Sequence, residues 1–147
     1  MSFAFPMRCL LACALLVALA APQARAATPE PDPAVTQGLQ LYQTESNGLE
    51  ACLGVWFNDK PKLAEELLEQ IGPVAKDLGV VQGAEVVATQ RVSQRVERYF
   101  IAVYYTRRPL WLSLERYALP DKTTSLGLRF STDEDKILPS YLTDVQP

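Results

Sequence analysis

The sequence predicts an α+β domain: N-terminal helices packed on one face of a curved, four-stranded antiparallel meander. Three observations carry this. Apolar residues recur at helical spacing from Val35 to Leu78. From Gly83 the period drops to two and stays there as far as Ser131. The breaks between successive two-period runs are too short for crossover connections, so neighbouring strands run antiparallel. Helices first and strands after is the order in which helices gather on one side of a sheet.

The first 26 residues stand apart. Arg8 precedes an apolar run from Cys9 to Ala21, and Ala24-Arg25-Ala26 follows. A positive start, a short apolar run and an A-x-A site make a secretory signal peptide, cleaved after Ala26, with Ala18-Leu19-Ala20 the weaker site. Leu10-Leu11-Ala12-Cys13 resembles a lipobox. Only four residues separate its Cys13 from Arg8, with most of the apolar run beyond it, whereas a lipobox closes that run. Removal of residues 1–26 leaves 121 residues, enough for one domain with a real core. Arg8 and Arg25 leave with them, so 12 basic residues face 17 acidic ones, a net charge of −5. The expected location is therefore periplasmic or secreted. The mild acidity argues against a nucleic-acid partner. No second apolar run is long enough for stable membrane insertion after cleavage.

Residues 27–33, ATPEPDP, read as a Pro-rich linker that frays, and residues 34–147 as one α+β domain. A first helix starts with Asp32 as N-cap and Pro33 at its first position. Val35, Leu39 and Tyr42 form its apolar stripe. Thr44 to Gly48 is weak for helix, and periodicity leaves open whether the helix breaks there. Leu49, Cys52, Leu53 and Trp56 resume the pattern, and Pro61 ends it. A further helix runs from Pro61 to Leu78, with Gly72-Pro73 expected to kink it and Gly79 to close it. Strands then follow over 84–91, 95–106, 110–118 and 125–131.

Alternation assigns the faces. In the third strand Leu110, Leu112 and Leu114 share one side, and Trp111, Ser113, Glu115 and Tyr117 the other. In the fourth, Leu126, Leu128 and Phe130 oppose Gly127, Arg129 and Ser131. The second strand is apolar on both sides, which suits a central strand. The tail, Ile137 to Leu142, is apolar enough to dock on the sheet.

Several residues carry a resemblance. Leu78-Gly79 precedes Gly83-Ala84-Glu85-Val86-Val87. Val96-Glu97-Arg98 opens a Tyr-rich strand, Pro109-Leu110 the next, and Phe130-Ser131-Thr132-Asp133 closes the last. In these, Leu78 to Pro139 resembles small exported bacterial proteins of the α+β cone (cystatin-like) superfamily, which includes the ketosteroid isomerases and nuclear transport factor 2. The resemblance implies a curved sheet wrapped on helices. Where relatives carry a Gly-Trp pair entering the final strand, this chain has Thr124-Ser125. The catalytic residues of the superfamily's enzymes have no counterparts, so the resemblance assigns none.

The chemistry is bounded by what is missing. The chain has no histidine, which excludes Ser–His and Cys–His catalysis and removes the commonest zinc ligand. Cys52 is the one cysteine left after cleavage, so no internal disulfide forms, and its apolar setting reads as a small buried hydrophobe. No metal-ligand spacing, phosphate loop or nucleophile elbow appears, and no cofactor is called for. Asp133-Glu134-Asp135 lacks the spaced ligands of a calcium loop.

The candidate site lies on the face opposite the leucines: Trp111, Glu115, Tyr117 and Arg129. Tyr99 and Tyr105 join them, or Tyr104 does, according to register. Glu115 and Arg129 are placed to meet across neighbouring strands. The sequence therefore reads as a non-enzymatic binding module that presents this aromatic face to an envelope protein partner or to a second copy as a homodimer. The alternative is a site for a small apolar ligand inside the cone, with Glu115 as the base of a proton transfer.

Overall fold

The computed structural model describes residues 30–143. The signal peptide and its cleavage site lie outside them. Three helices come first: α1 (Pro33–Thr44), α2 (Gly48–Trp56) and α3 (Pro61–Leu78). Four strands follow: β1 (Val81–Arg91), β2 (Val96–Tyr105), β3 (Leu110–Ala118) and β4 (Thr123–Ser131). A 3-10 turn at Glu134–Lys136 and a last helical turn, α4 (Ser140–Thr143), end the described chain. The strands form one open, curved antiparallel sheet in the order β1-β2-β3-β4, so the fold is α+β as expected.

Local chemistry sets the helix ends. Asp32 caps α1, its Oδ1 accepting from the Ala34 backbone N–H at 2.9 Å, and Pro33 fills the first turn. Pro31 to Pro33 therefore belong to the folded domain and not to a fraying linker. The break left open by periodicity falls between Thr44 and Gly48. The chain folds back so tightly there that a Cβ on Gly48 would lie 2.3 Å from the Tyr42 carbonyl oxygen. α2 then lies against α1 with Trp56 over Gly38, where a Cβ would lie 2.2 Å from the indole nitrogen. The α3 helix runs unbroken through Gly72 and Pro73. Its stop is Gly79 at φ +100°, a conformation that side chains resist. The Thr106 hydroxyl accepts there from the Val80 N–H at 3.2 Å, tying the α3–β1 junction to the end of β2.

The helices cover the sheet face that carries Tyr99, Ile101, Val103 and Tyr105 of β2 and the three leucines of β3. Trp56, Phe57, Leu53 and Ile71 fill the space between. Cys52 is fully enclosed here, and burial pushes its thiol up, so neither a reactive thiolate nor an intermolecular disulfide follows from it. Two strands run longer than their alternation suggests, because β1 starts at Val81 and β4 at Thr123.

Bulges then correct the faces. Glu115 pairs with Gly127 but Arg116 with Ser125, so Leu126 is an extra residue in β4. It points outward and is 45% exposed, contrary to its expected place beside Leu128. Ser125 takes the inward position. In the tail, Ile137 is buried while Tyr141 and Leu142 stay exposed, so only the start of that segment docks. Among the described residues no helix is long and apolar enough to cross a membrane.

The Gly38 contact makes a prediction. Gly38→Ala overpacks the α1–α2 contact and should cost about 1–3 kcal/mol. Gly54→Ala, in open space on α2, should gain up to about 1 kcal/mol from helix propensity. Urea unfolding measures both. A Gly38→Ala variant as stable as the parent would contradict the close approach.

Candidate functional site: the open face of the sheet

The helices α1, α2 and α3 all pack on one face of the sheet, and the second face carries a different set of side chains. Arg98, Phe100, Ala102 and Tyr104 of β2 stand on it, beside Trp111, Ser113, Glu115 and Tyr117 of β3. Its centre, Phe100, Ala102 and Ser113, is buried. Around that centre Trp111 and Tyr117 are half-buried and Tyr104 is exposed. The Tyr104 hydroxyl donates to Glu85 Oε1 at 2.6 Å, and this bond raises its pKa, with some help from burial. The segment after β4 borders the face beyond Trp111, forming with Pro109 and residues 132–136 a shallow recess. There Arg129 donates to the Lys136 carbonyl oxygen at 3.3 Å. Asp133 is engaged by Lys136 at 2.7 Å, and that contact holds its carboxyl below the usual range.

The structure separates the six residues singled out by sequence. Trp111, Glu115, Tyr117 and Arg129 lie on the open face. Tyr99 and Tyr105 do not: they have the parity of Ile101 and Val103 and point into the helix-covered core, 1% and 8% exposed. Tyr104 is the β2 tyrosine on the open side. The expected Glu115–Arg129 pair is also replaced. Glu115 sits opposite Arg98, which donates to its Oε1 through Nε at 2.9 Å and also through Nη2. Arg129 sits opposite Ser113, one pleat further along.

A second polar constellation lies on the helix side, and sequence reading did not single out its key residue. Arg116 is 5% exposed and reaches inward. Its Nε and Nη2 donate to Asp32 Oδ2 at 3.2 and 3.1 Å. Its Nη1 donates to the Trp56 carbonyl oxygen at 3.1 Å and to Ser125 Oγ at 2.8 Å. The Asp32 N–H donates to the Tyr99 hydroxyl, which donates to Glu97 Oε2 at 2.7 Å. Nearby, Thr124 donates to Asp59 Oδ2 at 2.6 Å, which chiefly lowers the Asp59 pKa. The signal available in sequence was parity: Arg116 follows Leu110, Leu112 and Leu114 at intervals of two.

A groove of about 320 Å³ runs between the start of α2, α3 and β1, with Tyr42 and Tyr105 in its wall. Their hydroxyls are 2.6 Å apart and the rings meet edge to face. Two hydroxyls share one hydrogen bond here, so one phenolic hydrogen is left to donate. Among the described residues no group of three acidic, Cys or His side chains is placed to hold a metal. The chain matches no protein-family model, no curated protein and no solved structure.

The buried phenols set a pH limit. Burial pushes Tyr99 up to about 12, helped by its bond to Glu97, and burial raises Tyr42 and Tyr105 as well. A raised phenol pKa leaves stability intact below the unfolded value near 10 and erodes it as pH rises towards 12. Absorbance titration should show these tyrosines ionising only as the fold is lost. All six tyrosines ionising near pH 10 with unchanged circular dichroism would contradict their placement.

Proposed function

We propose that the mature chain is an exported, non-enzymatic binding module that docks a protein on the open face of its sheet. The observation that carries this is the one-sided covering of the sheet. Three helices are spent on one face, and Tyr104, Trp111 and Tyr117 share the other with the Arg98–Glu115 pair. Aromatic rings on a rigid, half-wet sheet bury a large area at little entropic cost, and a central ion pair fixes register. The signal-peptide pattern of residues 1–26 supports export to the periplasm or beyond. The α+β architecture supports, at the level of fold, a place in the cone superfamily that the sequence resembles.

A second reading rests on the Tyr42–Tyr105 pair. The spare phenolic hydrogen, with Leu49, Leu68, Ala75 and Val81 in the wall of the mixed groove beside it, suits a small apolar ligand with one oxygen acceptor. For the proton-transfer version, the Glu115 carboxylate is paired with Arg98 and about one-third exposed.

The test is capture from envelope extract with Trp111→Ala and Tyr117→Ala. Both variants should lose the captured partner while unfolding as cooperatively as the parent. If both variants unfold, the two rings are core and the reading fails.

A further inference from the structure

We infer that the hollow between α2 and α3 binds a small ring-bearing amine, with its ring over Ala64 and Leu68 and its ammonium group toward Glu50 and Glu65. This site belongs to the helix layer and is independent of the open sheet face.

The two helices line the hollow with the same spacing. Glu50, Leu53, Gly54 and Phe57 recur at i, i+3, i+4 and i+7 along α2 and its C-cap, and Pro61, Ala64, Glu65 and Leu68 do so along α3. Each series puts a small residue, Gly54 or Ala64, where a larger side chain would fill the space. What is left is a hollow of about 220 Å³. Leu53 and Phe57 belong to the enclosed core and close its floor. Ala64 and Leu68 are half-buried and Pro61 is exposed, so apolar wall remains uncovered. An apolar cavity of about 150 Å³ takes benzene, so this hollow has room for a ring with a short amine arm.

Gly54 is the independent observation. At Gly38 and Gly48 a Cβ would collide with the Trp56 ring or the Tyr42 carbonyl, so glycine is required there. At Gly54 a Cβ would meet nothing within 4 Å. A glycine inside a helix lowers stability relative to alanine, and no packing within the chain requires this one. Its effect is to keep the hollow open.

The charge around the hollow has one sign. Glu50 and Glu65 are both exposed at its wall, and among the described residues neither forms an ion pair with a Lys or Arg. Glu50 accepts only a long bond from Asn47 Nδ2, at 3.5 Å. Lys60, the cation at the α2–α3 turn, is drawn away, its Nζ donating to the Ser125 carbonyl oxygen. The last turn of α2, with its partial negative charge, runs along the same wall. An ammonium group is attracted by all of these, and a carboxylate on the same ring is repelled. An apolar hollow with a few convergent polar groups is the usual form of a small-molecule site.

The experiment is titration of the isotope-labelled protein with phenethylamine, followed by amide NMR, beside hydrocinnamate as the anionic counterpart. The amine should shift the amides of Gly54, Ala64 and Glu65 saturably, and hydrocinnamate should not. The double variant Glu50→Gln/Glu65→Gln changes two exposed side chains and keeps the fold. It should bind the amine about fivefold more weakly, the worth of two partly exposed charge pairs. Gly54→Leu fills the hollow and should abolish binding while unfolding as cooperatively as the parent. Tyr42→Phe should bind as the parent does, because the groove beside Tyr42 shares only Glu50 and Leu68 with this hollow. The inference is overturned by the absence of a saturable shift, by equal binding of hydrocinnamate, or by an unweakened Glu50→Gln/Glu65→Gln variant. Binding that survives Gly54→Leu, or is lost in Tyr42→Phe, overturns it as well.

Discussion

Arg116 holds three separate pieces of the chain in one place. Its guanidinium takes the carboxylate that starts α1, the carbonyl that ends α2 and the hydroxyl of Ser125 on β4. A helix C-terminus leaves carbonyls without partners and carries partial negative charge, so a cation there satisfies both needs. The planar fork serves all these acceptors at once, which a lysine ammonium on a flexible stem would not do. A buried charge is costly to desolvate, and the bonds to Asp32, Trp56 and Ser125 offset that cost. Asp32 in turn caps α1 and donates to Tyr99, so the helix layer and the sheet are keyed together at one end. At the other end the Thr106 hydroxyl and the Tyr42–Tyr105 pair do the same work.

That fixing determines which face is left. With α1 and α2 anchored over the leucines, α3 packs on that same side. The bulge at Leu126 belongs to the same arrangement. Without the extra residue, Ser125 would point outward and leave the Arg116 pocket short of its hydroxyl. The open face then presents Trp111, Tyr117 and Tyr104 on two central strands whose backbones are fully paired on both sides. Any partner docks by side chains on a rigid platform and not by adding a strand to these two.

Much of this was legible in sequence. The change of period at Gly83 marked the boundary between helices and sheet. The leucine alternation of β3 gave both faces, and with them Trp111, Glu115 and Tyr117. What was not legible traces to particular causes. Leu126 was misplaced because a bulge shifts parity by one and leaves no trace in composition. Glu115 was paired with Arg129 because both neighbouring strands offered an arginine, and only register selects Arg98. Tyr99 and Tyr105 shared a strand with Tyr104, and their parity was readable but the face it matched was not. Arg116 was not singled out, because a charged residue suggests a surface, although its spacing from the leucines places it inside. Asp32 was legible as the cap of the first helix, but its contact with Arg116, 84 residues away in sequence, left no sign in the Pro-rich stretch around it.

The central claim is that the helix layer is fixed to the sheet through the coupling of Asp32 with Arg116. A double-mutant cycle by urea unfolding tests it most directly. Arg116→Met should cost about 3 kcal/mol in the parent, because it leaves a largely buried carboxylate unpaired. In an Asp32→Asn background, which keeps a good helix cap, the same change should cost about 2 kcal/mol less. If the two losses simply add, the pair carries no coupling and the account of how this sheet acquires one covered face and one open face is wrong.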